Sequence, residues 1–152
     1  MSDPLQIAGG KMRILVVEDE TSLAMMMVHL LTRAGCDVQR AMNAERAMQL
    51  AQAGDFDLIT LDIDLPDSSG FEICRRLKEL HRSRKTPVVF VSGRPSKDDQ
   101  QRAVELGAVD YIVKPFEPTD FIFRIKSHAK AKTSRPNAPD EDTNIRSLCD
   151  TL

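Results

Sequence analysis

One stretch of the chain, Thr60-Leu-Asp-Ile-Asp-Leu-Pro-Asp-Ser-Ser-Gly70, decides how its fold is predicted. The apolar run Leu58-Ile59-Thr60-Leu61 leads into it and ends abruptly at the acids Asp62 and Asp64. A proline and a glycine of the same stretch then interrupt the chain before a new helical pattern begins. A carboxylate at the carboxyl end of a buried strand lies where open α/β sheets place their chemistry. We therefore interpret the rest of the chain around Asp62.

On both sides of this stretch, short apolar runs alternate with helical patterns. The runs lack an alternating polar pattern, which is typical of strands that are buried on both faces. Strands are predicted at residues 13–17, 36–40, 57–61, 87–91 and 109–113, and a helical pattern follows each of them. Five strands alternating with five helices predict a doubly wound parallel sheet with helices on both faces. We expect a flexible leader at residues 1–11, one domain at 12–130, and a disordered tail or linker at 131–152.

Composition narrows the class of protein. The chain has 152 residues, a formal net charge of −2 and 29% charged residues, which gives no general reason to expect nucleic-acid or membrane binding. No apolar run approaches the roughly 20 residues of a membrane helix, and the first ten residues do not resemble a signal peptide. The three cysteines are widely spaced and lack metal-site spacing. These features predict a cytoplasmic location.

Polar side chains follow four of the predicted strands. Glu18 and Asp19 follow the first strand, Asp62 the third, Ser92 the fourth and Lys114 the fifth. The carboxyl ends of parallel strands share one edge, so we expect these side chains to meet there. Clustered carboxylates repel one another unless a cation is present, and an oxygen-rich cluster suits Mg²⁺. The predicted chemistry is attack by the Asp62 carboxylate on phosphorus, with Mg²⁺ and Lys114 neutralising charge.

Four motifs in this order and spacing resemble the receiver domain of two-component response regulators, of the single-domain, CheY-like kind. They are Val17-Glu18-Asp19-Glu20; Leu61-Asp62-Ile63-Asp64-Leu65-Pro66 with Gly70; Val91-Ser92-Gly93; and Gly107-Ala108-Val109-Asp110-Tyr111-Ile112-Val113-Lys114-Pro115-Phe116. The resemblance covers about residues 12–130. It implies a flavodoxin-like sheet with the strand order 2-1-3-4-5.

The resemblance also implies a role for each residue of the site. Asp62 would accept the phosphoryl group, Ser92 and Lys114 would contact it, and Tyr111 matches the aromatic switch position. The ligands of Mg²⁺ would be Glu18, Asp19, Asp62 and the main-chain carbonyl of Asp64. The Lys114–Pro115 peptide bond would be cis.

The implied phosphodonor is a histidine kinase or a histidine phosphotransfer protein. The implied output surface consists of the helix from Ser96, the strand from Val109 and the helix after Pro118. That surface would act on a separate partner or on an output domain missing from this chain. Residues 131–152 are too few for such a domain, and whether phosphorylation produces a homodimer stays open. No direct nucleic-acid binding by this segment is expected.

Two further pairs of residues prompt hypotheses. Asp64 and Arg94 each lie two residues beyond a site residue, and we expect them to pair and to restrict the water that hydrolyses the phosphorylated Asp62. Two separate solvated charges are the alternative. Met26 lies outside the apolar stripe of its helix, and with Leu23 it is a candidate contact for the phosphodonor. An incidental surface position or a core role for Met26 is equally compatible with the periodicity.

Two other functions are compatible with parts of the pattern. Asp62 and Asp64 are spaced like the acids of haloacid-dehalogenase-type phosphatases, which use an aspartate nucleophile and a second acid. Against this, the acidic pair precedes the nucleophile strand, and the chain has no room for a substrate-binding cap. A scaffold that has the receiver fold but no phosphotransfer is the other alternative, and the complete set of site residues argues against it.

Overall fold

The computed structural model describes residues 10–133 and contains five strands and five helices in strict alternation. The strands are β1 (Arg13–Val17), β2 (Asp37–Ala41), β3 (Leu58–Leu61), β4 (Val88–Ser92) and β5 (Asp110–Val113). The helices are α1 (Thr21–Arg33), α2 (Ala44–Ala53), α3 (Gly70–Glu79), α4 (Lys97–Glu105) and α5 (Pro118–Thr133). The predicted elements are therefore all present, with boundaries shifted by one or a few residues.

The strands form one parallel sheet in the order β2-β1-β3-β4-β5, which confirms the predicted flavodoxin-like order. Strand β1 lies between β2 and β3, with Val17 in register with Ala41 on one side and Leu61 on the other. The chain changes its winding direction between β1 and β3. Open α/β sheets place their sites at such a switch point, beyond the carboxyl ends of the strands.

Each face of the sheet is covered by its own apolar core. Helices α2, α3 and α4 pack on one face, where Met48, Ile73 and Phe90 are among the buried side chains. Helices α1 and α5 pack on the other face, around Met27 and Phe121. The central strands β1, β3 and β4 are buried on both faces apart from Arg13 at the start of β1, as their unbroken apolar sequences predict.

The predicted leader and tail fall mainly on residues 1–9 and 134–152, which lie outside the described residues. Helix α5 extends to Thr133, so the helical part of the domain runs three residues past the predicted boundary at 130. The Lys114–Pro115 peptide bond is cis, as expected. Among residues 10–133, no helix is long and apolar enough to cross a membrane.

Candidate functional site

The polar residues that follow β1, β3 and β5 are held by hydrogen bonds that continue the sheet beyond the strand ends. The main-chain N–H of Glu18 donates to Ala41 O at 3.0 Å, and that of Asp62 donates to Val17 O at 3.2 Å. The N–H of Lys114 donates to Ser92 O at 2.8 Å. The sheet itself therefore fixes the positions of these groups at one edge.

Lys114 lies between two buried carboxylates. Its Nζ donates to Glu18 Oε1 at 2.9 Å and lies 3.4 Å from Asp62 Oδ2. Glu18 is 1% exposed and Asp62 is 6% exposed, so both carboxylates are largely removed from water. The structure thus brings together three residues that the sequence places 44 and 52 positions apart.

Burial and the shortage of positive charge change the acidity of these groups. Burial raises the pKa of Glu18 and of Asp62 above the ordinary carboxyl values, although Lys114 acts in the opposite direction. Burial works against the charge of Lys114, but its hydrogen bond to Glu18 and the nearby carboxylates raise its pKa overall. The site therefore contains more negative charge than one ammonium group can balance.

Glu18, Asp19 and Asp62 form the acidic cluster of the site. Each offers a carboxylate oxygen, and these oxygens lie within 4.8 Å of one another. An all-oxygen donor set that is partly buried and short of positive charge fits a hard divalent cation such as Mg²⁺. The side chain of Asp64 is exposed and takes no part in this cluster, while its main-chain N–H faces Asp62 Oδ1 at 3.4 Å.

Ser92, the last residue of β4, and the residues after it form the opposite wall of the site. Ser92 is fully buried, and its hydroxyl accepts a hydrogen bond from the main-chain N–H of Arg94 at 3.1 Å. The guanidinium of Arg94 forms a two-pronged ion pair with Asp64, in which the Nε–Oδ2 distance is 3.2 Å. The predicted contact between Asp64 and Arg94 is therefore present, and its effect on phosphoryl lifetime stays a prediction.

Tyr111 connects this wall to β5. Its hydroxyl donates to the main-chain carbonyl of Arg94 at 2.7 Å, and its ring packs against Phe90 with a centroid distance of 6.2 Å. The ring is half-buried, so it is neither a closed core residue nor a free surface group. The side chain of Arg94 thus contacts the loop between β3 and α3, and its main-chain carbonyl contacts Tyr111.

The predicted docking residues lie on α1, next to the acidic pair. Met26 is 40% exposed, which confirms that it lies outside the apolar stripe, and its neighbour Met25 is 55% exposed. Leu23 is half-buried and packs against the core beneath α1 and α5. Two methionines therefore lie on the surface beside the site.

Two residues near the site escaped prediction. Arg40 donates from Nη2 to Glu18 O at 2.9 Å and to Asp19 O at 3.2 Å. Asp67 accepts hydrogen bonds from the first two N–H groups of α2. Neither residue belongs to a periodic pattern or a motif. Their contacts join a side chain to main-chain groups more than 20 positions away in sequence, so the local sequence does not reveal them. Only the location of Asp67 inside the opening stretch pointed toward it.

A family model described as "Response regulator receiver domain" matches residues 14–126. The chain belongs to the response regulator receiver domain family. This membership agrees with the resemblance inferred from the four motifs, and the match runs from the second residue of β1 into α5.

Relatives of this receiver domain include transcription regulators. It is 37% identical over 115 residues to the transcriptional regulatory protein DltR of Streptococcus agalactiae, covering 76% of this chain and 50% of DltR. It is 37% identical over 116 residues to the transcriptional activator protein IrlR of Burkholderia pseudomallei, covering 76% of this chain and 49% of IrlR. The receiver domain therefore spans about half the length of these curated relatives.

Solved receiver structures share the fold over nearly their whole length. A CheY-like receiver domain protein from Methanospirillum hungatei has a TM-score of 0.78 and 27% identity, and the match covers 83% of this chain and 99% of the other. The chemotaxis protein CheY4 of Vibrio cholerae has a TM-score of 0.75 and 28% identity, over 78% of this chain and 98% of the other. Both are single-domain-sized chains, in contrast to the curated relatives.

Proposed function

We propose that this receiver domain is a phosphorylation switch in which Asp62 accepts a phosphoryl group from a phosphohistidine. The donor is a histidine kinase or a histidine phosphotransfer protein. The observation that supports this most directly is the buried Asp62 carboxylate, which shares the ammonium of Lys114 with Glu18 at the switch point of the sheet. An anionic nucleophile beside a fixed cation and further carboxylates suits phosphoryl transfer better than binding of a neutral ligand.

The proposed reaction replaces one phosphorus bond with another. A carboxylate oxygen of Asp62 attacks phosphorus as the P–N bond of the phosphohistidine breaks, and the departing imidazole nitrogen keeps the bonding electron pair. Lys114 neutralises charge on the phosphoryl oxygens, and the Ser92 hydroxyl donates to one of them. Later, water attacks phosphorus, and the products are inorganic phosphate and the free Asp62 carboxylate. In this proposal the domain catalyses only its own phosphorylation and slow dephosphorylation.

Mg²⁺ is the proposed cofactor. Glu18, Asp19 and Asp62 would hold it with their carboxylates, together with the main-chain carbonyl of Asp64. When bound, the ion supplies the positive charge that the acidic cluster lacks and that the transferred phosphoryl group requires. The clustering of the three carboxylates supports this assignment.

Phosphorylation would act on the output surface through Ser92 and Tyr111. In this proposal the Ser92 hydroxyl gives up its bond from Arg94 N–H when it turns to the phosphoryl group. The Tyr111 hydroxyl is bonded to the carbonyl of the same Arg94, so movement of this segment also changes the position of the ring. The surface formed by α4, β5 and α5 would then take up a second arrangement.

The partners follow from this surface and from the relatives. DltR and IrlR are named as a transcriptional regulator and a transcriptional activator, and we propose that the output surface acts on an output domain or a separate partner of comparable function. A phosphorylation-dependent homodimer through the same surface is part of the proposal. Direct contact of this segment with nucleic acid is not. Leu23 and Met26 would contact the phosphodonor.

The test is the intact mass of the protein after incubation with acetyl phosphate and Mg²⁺. The wild type should gain one phosphoryl group, and Asp62→Ala should gain none. Phosphorylation of Asp62→Ala to the wild-type level would contradict the proposal. With a phosphohistidine donor in place of acetyl phosphate, Met26→Glu should slow transfer about tenfold. Val104→Glu, which changes an exposed residue of α4, serves as the control.

A further inference from the structure

Residues 40–45, here called the β2–α2 segment, comprise the end of β2, the connection and the start of α2, and they contact both loops that contribute to the acidic cluster. Its contacts with the first of these loops come from Arg40 and Ala41. The Arg40 guanidinium donates to the carbonyl of Glu18 from Nε at 3.1 Å and from Nη2 at 2.9 Å, and to the carbonyl of Asp19 at 3.2 Å. Ala41 O accepts from the N–H of Glu18 at 3.0 Å. The main chain of the acidic pair is thus held on both its N–H and its carbonyl side.

The same segment also holds the loop between β3 and α3. The Asp67 carboxylate accepts hydrogen bonds from the N–H of Ala44 at 2.8 Å and from that of Glu45 at 3.0 Å. Asn43 caps α2 from within by accepting from the N–H of Arg46. Helix α2 therefore has a second N-terminal cap, the side chain of Asp67, which belongs to the loop that contains Asp62 and Asp64. These backbone hydrogen bonds lower the pKa of Asp67, so it binds as a carboxylate.

We infer that Arg40 and Asp67 are positioning residues for the divalent-cation site. They hold the two acidic loops at a fixed separation through the β2–α2 segment, and neither offers an atom to the acidic cluster of Glu18, Asp19 and Asp62. Carboxylates that repel one another when no cation is present need such external restraint, because the loops would otherwise separate. This inference rests on the proposed Mg²⁺ site.

Because Arg40 is charged, its two possible effects on Mg²⁺ affinity differ in direction and can be distinguished. A guanidinium that contacts the main chain of the acidic pair repels a cation bound there, so loss of its charge alone would tighten Mg²⁺ binding. Loss of its positioning would weaken Mg²⁺ binding. The two effects predict opposite changes for the same substitution.

The experiment measures the Mg²⁺ dissociation constant by NMR titration of ¹⁵N-labelled protein without any phosphodonor. Arg40→Gln should weaken binding about tenfold, the lower end of the range for residues that orient metal ligands. Arg46→Gln is the control, because it removes an equal charge from α2 at a residue whose guanidinium donates to its own helix neighbour Gln49. Its dissociation constant should equal that of the wild type. Binding by Arg40→Gln as tight as the wild type, or tighter, would overturn the inference.

Two Asp67 variants provide a second measurement. Asp67→Asn and Asp67→Ala both remove the charge, but asparagine keeps one acceptor oxygen for the α2 N–H groups. Asp67→Ala should therefore bind Mg²⁺ more weakly than Asp67→Asn, and equal dissociation constants would contradict the inference even if Arg40→Gln does not fold. If the proposed function itself is wrong, the result is different. The wild type would then bind no Mg²⁺ at this site, so Asp19→Asn would leave Mg²⁺ binding unchanged.

Discussion

At the scale of single residues, Arg94 links parts of the site that lie far apart in sequence. Its side chain pairs with Asp64 and lies 3.7 Å from Asp99 of α4, and its main chain contacts Ser92 and Tyr111. Because the pair with Asp64 is exposed, its contribution to folding stability is small. The pair joins the loops that follow β3 and β4, and we expect it to influence the access of water to Asp62 more than folding.

The first prediction concerns Arg94→Ala. We expect loss of the pair with Asp64 to let water reach phosphorylated Asp62 more easily, so its half-life should shorten. An exposed ion pair contributes about 0.2–1 kcal/mol, which corresponds to a change of about fivefold at most. The measurement is the loss of the phosphoryl group with time, followed by mass spectrometry after removal of the donor.

Arg102→Ala is the control for this prediction. It removes the same charge from the same polar cleft, but Arg102 stacks on Phe71 and does not pair with Asp64. An Arg94→Ala half-life equal to that of the wild type would contradict the role of the pair.

At the scale of elements, the loop between β3 and α3 is the most constrained connection of the site. It turns back so that the N–H of Gly70 donates to Ile63 O at 2.8 Å. A Cβ atom at Gly70 would lie 2.1 Å from the main-chain oxygen of Asp62, which is far inside van der Waals contact. Glycine is thus required here for lack of space, because the start of α3 packs directly on the main chain of Asp62.

The second prediction is that Gly70→Ala destabilises the protein by about 1–3 kcal/mol, as overpacking of a tight site does. The clash is with main-chain atoms, so it can be relieved only by displacing the Asp62 loop, and phosphorylation by acetyl phosphate should fall as well. Urea unfolding measures the first effect and intact mass the second.

Gly93→Ala provides a matched comparison, because no atom lies within 4 Å of a Cβ placed there. It should change stability by less than about 0.5 kcal/mol. A similar loss in both variants would show that the effect does not arise from the contact with Asp62.

The elements and the central site residues were accessible from the sequence, whereas the contacts between loops were not. The buried strands have unbroken apolar runs, and a parallel sheet brings the residues after them to one edge, so Asp62 and Lys114 could be placed together. The pairing of Asp64 with Arg94 followed from their equal offsets from two site residues. Arg40 and Asp67 bind main-chain groups, which are the same at every position and leave no pattern in the sequence. Such contacts become visible only in the three-dimensional structure.

At the scale of the whole molecule, burial of the Asp62 carboxylate opposes the stability of the fold. Burial raises the pKa of Asp62, so the ionised form is disfavoured in the folded state relative to the unfolded chain. This free-energy cost is absent below the ordinary aspartate pKa of about 3.9. It develops as the pH rises through the raised pKa. Above the raised pKa, and without a divalent cation, the domain therefore carries the full cost.

The third prediction is that Asp62→Asn raises the melting temperature at neutral pH in the absence of Mg²⁺. A gain of about 1 kcal/mol would correspond to about 2–4 °C for a chain of this size. Asparagine retains the shape of the side chain, and Lys114 keeps its bond to Glu18. Calorimetry over a pH series should show the difference shrinking as the pH falls toward that of the unfolded carboxyl group.

Addition of Mg²⁺ provides a second test of the stability cost of the buried Asp62 carboxylate. A cation that binds only the folded state stabilises it, so Mg²⁺ should raise the melting temperature of the wild type more than that of Asp62→Asn. A lower melting temperature for Asp62→Asn at neutral pH without Mg²⁺ would show that the Asp62–Lys114 contact outweighs the burial of the carboxylate.

The hydrogen bond from Tyr111 to Arg94 also has a spectroscopic consequence. The sequence contains one tyrosine and no tryptophan, so the near-ultraviolet absorption and intrinsic emission specific to these residues arise from this single phenol ring. The ring is half-buried, and its hydroxyl is bonded to the loop that follows β4. The domain therefore contains an optical reporter of the loop that follows β4, and changes at that loop are readable without a label or an added chromophore.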